Sequence, residues 1–245
     1  MRALIDADVL VYQASTVATT THEFTLDDDL VLFPAVSINE ACYVFDSMVQ
    51  TIKDVTEADE LFFALSAPTN FRKDLYPDYK ANRKGEKPMA WSSLRAHASD
   101  KWHAEWIDGL EGDDVIGINS GPGTVIWSID KDMRTLPGLH VDIDAGDIIE
   151  VSEEDALRNW MMQTLTGDAA DNYPGAKNIG KVRAERLLED VEPTIEAMWP
   201  VVVKTYEKSK QTADDALLMA RLARILHPTD YTKEKVTLWT PPTIQ

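Results

Sequence analysis

The sequence predicts an α/β fold in which a mainly parallel sheet, flanked by helices, is followed by a helical C-terminal half. Three observations predict it. Short apolar runs end on acidic residues, as buried strands of a parallel sheet do; segments of helical period separate them; and from Ser152 to Leu226 the pattern is helical throughout. Strands alternating with helices imply parallel pairing with helices on both faces. The division expected is residues 1–151 as the α/β core and 152–245 as a helical region integral to one compact unit.

Taken in order, Ala3-Leu4-Ile5, closed by Asp6, reads as the first buried strand, and Val9 to Ala18 as the start of a helix. Ser37-Ile38-Asn39-Glu40 has the form of a capping box, and Ala41, Val44, Phe45, Met48, Val49 and Ile52 follow at helical spacing. Leu61 to Leu65 is a second strand, and Thr124 to Ile129 a third, ended by Asp130. Between these, Glu111 to Ile118 reads as the opening of a helix. Ser152 caps a helix running to Thr166, and Thr212 with Asp215 opens another. Trp160, Trp199 and Leu217 to Leu226 read as helical core. The run Asp27-Asp28-Asp29 marks a solvated loop or hairpin.

With 245 residues and 44% hydrophobic content, the chain can bury one large core. It has no internal repeat and no low-complexity tract. No apolar run approaches a membrane span, and Met1-Arg2 leads straight into a strand rather than a signal peptide, so no membrane partner is expected. Cys42 is the only cysteine, which excludes an intramolecular disulfide and fits a reducing cytoplasm.

The formal charge of −18 argues against a nucleic-acid partner, whose binders carry a basic footprint. Position reverses that argument. From Arg72 to Arg95 seven basic residues stand against three acids, a local balance of +4, and from Lys177 to Arg186 four stand against one, a balance of +3. Two basic islands in an acidic chain separate a surface for phosphate from acids gathered for another purpose.

The acids fall where a sheet would collect them. Ligands of open α/β sheets sit outside the carboxyl ends of the strands. Asp6 and Asp8 follow the first strand, and Asp130 and Asp132 follow the strand ending at Ile129. Glu111, Asp113 and Asp114 open a helix, with Glu111 and Asp114 on one face at i,i+3 spacing; Asp168 and Asp171 repeat that spacing. Each group alone is better explained as a cap or a partner of the helix dipole. Together they bring nine carboxylates to one edge, where like charges repel unless a cation compensates. Hard oxygen donors unsupported by Cys or His suit Mg²⁺ or Mn²⁺ rather than zinc.

Five segments then resemble, in order, those of the 5′ nuclease superfamily, the group of phage 5′→3′ exonucleases, flap endonucleases and the 5′-nuclease domain of bacterial DNA polymerase I. Leu110-Glu111-Gly112-Asp113-Asp114-Val115-Ile116-Gly117 is similar to the family's acidic helix, and Ser128-Ile129-Asp130-Lys131-Asp132 to its Asp-x-Asp segment. Gly167 to Gly175 resembles the second-metal loop, Asn178-Ile179-Gly180-Lys181 the helix-three-turn-helix signature, and Asn70 to Arg83 the basic segment before the helical arch. The resemblance runs from Asp6 to about Leu188 and is closest to the stand-alone phage enzymes, which would place the protein in a bacterial host's cytoplasm.

The resemblance implies a PIN-like sheet, a helical arch over about residues 72–106 and a C-terminal helix-three-turn-helix region. It also implies hydrolysis of DNA by two Mg²⁺ or Mn²⁺ ions about 3.5–4 Å apart. Asp6, Glu111, Asp113 and Asp114 would hold the first and Asp130, Asp132, Asp168 and Asp171 the second, with Asp8 in reserve. Asp6, Asp114 and Asp130 would be the central catalytic carboxylates. Lys80 and Arg83, one helical turn apart, would neutralise the scissile phosphate, and Tyr79 would stack on a base or simply pack. Arg72, Lys73 and Lys84 extend that surface to DNA; Lys177, Gly180, Lys181 and Arg183 would grip duplex backbone at a turn that also holds K⁺. Trp91 to Trp106 would form part of the arch, with His97 and His103 there for packing. The expected partner is DNA with a free 5′ end or 5′ flap, bound without sequence preference by a monomer, with the RNA of RNA–DNA hybrids as a further substrate. One departure stands out: Ala67 occupies a position where the family usually has aspartate. A junction-binding module without cleavage, and a PIN-type ribonuclease, therefore stay open as alternatives; a two-metal phosphatase leaves the basic island from Arg72 to Arg95 unexplained.

Overall fold

The computed structural model describes residues 1–26 and 29–242; Asp27 and Asp28 of the acidic run lie outside the described residues. Its centre is a five-stranded sheet. Strand β1 (Arg2–Asp6) leads into α1 (Ala7–Val17), and a ribbon of β2 (Thr19–Leu26) and β3 (Asp29–Val36) connects to α2 (Ile38–Thr56). Then follow β4 (Glu60–Ala64), the single turn α3 (Arg72–Leu75), α4 (Trp91–Trp102), α5 (Gly112–Asn119) and β5 (Thr124–Trp127). Strands β6 (Gly138–Asp142) and β7 (Asp147–Val151) complete the sheet, in the order β4-β1-β5-β6-β7. All pairs are parallel except β6 with β7. Helices α6 (Glu153–Thr166), α7 (Lys181–Leu188), α8 (Ile195–Lys208) and α9 (Ala213–Ala223) make the second half, before a two-residue hairpin of β8 (Tyr231–Thr232) and β9 (Lys235–Val236).

The alternation of β1 builds both layers. Ala3 and Ile5 face a core made with α1, α2 and α4, whereas Leu4 joins Ile126, Val115 and Ile116 of α5 and Ile225 on the other face. A third core gathers Trp160, Leu165, Met198, Trp199 and Tyr206 from the C-terminal helices. Gly117 of α5 lets the backbone at Leu226 come so close that a Cβ would collide with its carbonyl. That contact fastens the helical half beneath the sheet. No helix among the described residues is long and apolar enough to cross a membrane.

Two regions differ from the sequence expectation. Strands β6 and β7 are unannounced, because their five-residue segments mix apolar residues with Gly, His and acids around a turn and lack a long apolar run. The segment expected as a helical arch is no continuous helix: residues 83–88 have no regular structure, and α4 lies down on α1 and α2, burying Leu94 and Ala98. His97 there bonds Asp46 on α2 at 2.8 Å, a packing role.

Candidate active site

From β1 the chain crosses to β4 on one side and then returns to β5 on the other, and this switch of direction opens a crevice at the carboxyl end of β1. Asp6 stands there. It ends β1 and caps α1, one carboxylate oxygen accepting the Val9 N–H at 3.2 Å and the other the Ser128 hydroxyl at 3.0 Å. Burial, then the charges of Asp8 and Asp130, push its carboxyl up to about 7. Asp113 on α5 is raised well above the carboxylate range by burial and by Asp6, Asp130 and Glu111.

Behind these lies a closed ion pair. Arg72 is 3% exposed and grips the fully buried Asp114 with both arms, at 2.6 and 2.8 Å. Its remaining hydrogens go to the carbonyls of Leu222 (3.0 Å) and Arg224 (2.6 Å) and to the Glu111 carboxylate (3.4 Å), while Asp114 also accepts the Leu226 N–H at 3.2 Å. Every strong donor and acceptor of this pair is used inside the protein.

The second acidic group comes from two loops. Asp130 caps the 3-10 turn Lys131–Thr135 and accepts the Asp132 N–H at 2.9 Å. Asp132 accepts the Gln163 amide at 2.6 Å; burial, Asp130 and Asp168 raise its carboxyl to about 7. Asp168 ties its own loop by accepting the N–H groups of Ala170 (2.6 Å) and Asp171 (3.2 Å). The loop is closed by Gly167 and Gly175, both at positive φ (67° and 64°) and placed back to back, so that a Cβ on either would collide with the other's strand of backbone.

Tyr79 and Lys80 join the two groups. The Tyr79 hydroxyl lies 2.8 Å from Glu111 and 2.7 Å from Asp171. Lys80 pairs with Glu111 and stands 3.4 Å from Asp171, and Arg83 bonds Asp171 at 2.5 Å. Burial would raise the Glu111 carboxyl, but Arg72 and Lys80 hold it at about 2.

The donor set fits divalent cations. Among the described residues no three acidic, His or Cys side chains converge closely enough to hold an ion as they stand. The local bonding is nevertheless incomplete in a way a hydrated cation would complete. The Tyr79 hydroxyl has one proton for two carboxylates. The Gln163 side-chain oxygen, beside Asp132, is buried with no donor. The Asp6, Asp113 and Asp132 carboxyls are raised first by burial and then by neighbouring acids, Asp130 among them in each case, which marks crowded negative charge.

Several expected roles are corrected by this geometry. Arg72 is buried in the Asp114 pair and cannot reach DNA. Asp114, expected as ligand and catalytic acid, has both oxygens engaged and faces inward. Asp8 is likewise taken, by Arg95 and by the Ser66 N–H at 2.6 Å. Tyr79 is buried and stacked on Tyr173 with ring centroids 6.3 Å apart, which leaves no face for a base. Lys80 and Arg83 are not on a helix: Lys80 has φ 57° in a run of turns after Pro77, and the two converge on Asp171 all the same. Asp6, Glu111, Asp113 and Asp130 act on one another, as do Asp130, Asp132, Asp168 and Asp171, so the two groups meet at Asp130; Lys73 and Lys84 are exposed. Ser128, Gln163 and Arg95 are additions. Ser128 sits inside a motif already singled out, and Arg95 is counted in the basic island with nothing to mark its pairing with Asp8; Gln163 leaves no signal in the linear pattern.

Away from the acids, Lys177, Gly180, Arg183 and Gln211 line an open depression of about 530 Å³ before α7. Gly180 caps α7 without a side-chain bond, and Lys181 and Arg183 are exposed at that end. Free N–H groups and cations at a helix N-terminus make a ready seat for phosphate.

Fold and crevice define a nuclease of the 5′ nuclease superfamily. The chain belongs to the 5′–3′ exonuclease family: that family's N-terminal resolvase-like domain matches residues 2–162. The exonuclease of Escherichia phage T7 is 26% identical over 283 residues, covering 97% of this chain and 93% of its own length. DNA polymerase I of Rhizobium leguminosarum is 32% identical over 189 residues, 68% of this chain but 18% of the polymerase. Among solved structures, the 5′-exonuclease of bacteriophage T5 with bound divalent zinc superposes with TM-score 0.66 at 15% identity, over 94% of this chain and 90% of that one. A T5 flap endonuclease complex with DNA and metal ions gives TM-score 0.63 at 15% identity, over 93% and 89%.

Proposed function

We propose that this chain hydrolyses DNA from a free 5′ end or at a 5′ flap, using two divalent ions, Mg²⁺ or Mn²⁺. One observation carries the proposal above the rest: Tyr79 and Lys80 each reach both Glu111 and Asp171, so one segment of the basic island binds the acidic groups of both halves into a single site. Asp6, Glu111 and Asp113 would hold the first ion, and Asp130, Asp132, Asp168 and Asp171 the second. The ions would supply an acidified water and charge compensation at the leaving oxygen.

The protein's own groups do the rest. Lys80 and Arg83 reach the acids from the open side of the crevice, where a phosphate would enter, and can transfer from Glu111 and Asp171 to its oxygens. Ser128 and Gln163 orient Asp6 and Asp132. Lys177, Lys181, Arg183 and the N-terminus of α7 would hold the duplex backbone without reading bases, and K⁺ would sit on carbonyls of the Gly175–Gly180 turn. The T5 flap endonuclease complex with DNA and metal ions supports the reading by analogy of fold.

Ala67 favours a weakened variant as the second reading. Its N–H is held by the Leu110 carbonyl at 2.9 Å, so its backbone lies against the residue that precedes Glu111. The deciding experiment is cleavage of a 5′-labelled flap duplex with Mg²⁺, Mn²⁺ or EDTA, for this chain and for Ala67→Asp. Short 5′ products that need the metal are expected, with a gain of roughly 10-fold or more from the added carboxylate. Binding without cleavage by both proteins in every metal would leave only the junction-binding module.

A further inference from the structure

We infer that Arg95 is a positioning residue for this hydrolytic site, acting through Asp8 and the Ser66 backbone to hold the α5 carboxylates against Asp6; the inference rests on the nuclease reading above. Arg95 lies on α4, away from the acidic motifs. One arm of its fork pairs with Asp8, and the other donates to the Ser66 carbonyl at 2.8 Å. The second oxygen of Asp8 accepts the Ser66 N–H at 2.6 Å. Both backbone groups of one residue therefore end on one ion pair. Ser66 passes the constraint on: its hydroxyl accepts the Gly112 N–H at 2.9 Å, and the next residue, Ala67, donates to Leu110 at 2.9 Å. Leu110 and Gly112 flank Glu111. A Cβ on Gly112 would stand 3.5 Å from the Ser66 nitrogen, so loop and helix already touch.

The anchor is stiff. Helix α4 buries Leu94 and Ala98 against α1 and α2, its leading Ala90 N–H bonds Ser15 of α1 at 3.0 Å, and the ring of Trp91 lies 5.9 Å from the guanidinium. With one arm on Asp8 and the other on Ser66, the fork is committed rather than free for phosphate. A lysine could pair with Asp8 but could not also hold Ser66 in the same plane.

The test compares wild type with Arg95→Ala, Arg95→Lys, Asp8→Asn and the double variant Asp8→Asn/Arg95→Ala. The readouts are Mn²⁺ binding by the DNA-free protein, followed by electron paramagnetic resonance; kcat and KM on a 5′-flap duplex; and flap affinity in Ca²⁺ by fluorescence anisotropy. Arg95→Ala is expected to weaken Mn²⁺ binding and lower kcat by about 10- to 100-fold, with flap affinity within about twofold of wild type. Arg95→Lys should fall between, and the double variant should be no worse than the poorer single one. If Arg95→Ala fails to fold by thermal melt, Arg95→Lys and Asp8→Asn carry the same comparison. Unchanged Mn²⁺ binding and kcat would overturn the inference. So would a loss confined to flap affinity with a shallower salt dependence, which would make Arg95 a phosphate contact. A wild type that neither binds Mn²⁺ nor cleaves would sink the nuclease reading itself, whereas an active wild type matched by Arg95→Ala would sink Arg95 alone.

Discussion

The two acidic groups of the crevice are built on opposite principles. On the side of α5, arginines close the structure: Arg72 saturates Asp114, Arg95 takes Asp8, and Glu111 is held at about 2 by Arg72 and Lys80 against its burial. On the other side, Asp130, Asp132 and Asp168 face one another with few cations nearby, and Asp132 stands at about 7. The first group keeps its shape from within. The second is held by backbone turns and the Gly167–Gly175 contact, and its charge waits for something to compensate it. A hydrolytic site needs both: rigid ligands on one side, and an electrostatic deficit that attracts cations on the other.

The largest way to break the closed side is Arg72→Ala. It leaves Asp114 charged, fully buried and without its partner, and removes the donor that satisfies two carbonyls near α9. Removing one member of such a pair costs about 3–5 kcal/mol, so urea or thermal unfolding should show a large loss with or without Mg²⁺. A loss below about 1 kcal/mol would mean that the pair is open to water and that Arg72 is free for DNA after all.

Lys80→Ala cuts the link between the groups. With stability within about 1 kcal/mol of wild type, kcat on a flap substrate should fall roughly 100- to 1000-fold, the usual cost of one lost charge-stabilising donor. A variant that lost only KM would place Lys80 on the substrate's approach path instead.

The crowded carboxyls, one from each group, are probed by pH. Asp6 and Asp132 titrate near 7 in the fold and near 4 when unfolded, so they favour the folded state in their protonated form. Their contribution is complete at low pH and is lost as pH rises through about 7. Glu111, at about 2, acts only in strong acid, and His227, pulled to about 4 by burial and Arg224, acts in the opposite sense below about 6.5. Between pH 6.5 and 8 the metal-free protein should therefore melt at progressively lower temperature. Saturating Mg²⁺, which takes the ionised form, should flatten or reverse that trend. A melting temperature that rises with pH in metal-free buffer would contradict the crowding of these carboxyls.

How far the sequence already told this story depends on what each feature needs. The strand of Ala3 to Ile5, the capped helices at Ser37, Ser152 and Thr212, and the acids at element ends are local patterns, and each appears in place. What stays hidden is pairing across the chain. Arg72 reads as one more cation of a basic island until Asp114, 42 residues on, is seen to hold it. The same distance problem makes a buried bridge of Tyr79, which alone looks like a stacking platform. Lys80 and Arg83 suggest a helix by spacing, but the backbone after Pro77 turns too tightly. The ribbon of β2 and β3 keeps Phe24 and Phe33 more than half exposed, and burial-based patterning has no purchase on strands without a core.

The smallest effect lies farthest from both groups and asks whether the turn before α7 belongs to the site at all. Lys181 is 82% exposed and has only a 3.9 Å contact to Glu185, so its loss should leave the melting temperature and kcat nearly unchanged. If it meets a phosphate, Lys181→Ala should weaken duplex binding about equally for all sequences. It should also lower the slope of log affinity against log salt by about one. Arg183, whose guanidinium is already fixed on the Asn178 carbonyl at 2.8 Å, should show a larger loss because its placement is prepaid by that bond. An unchanged slope for both variants would confine DNA contact to the crevice and to the island that begins at Lys73, and the helical half would then serve only to carry Asp168 and Asp171.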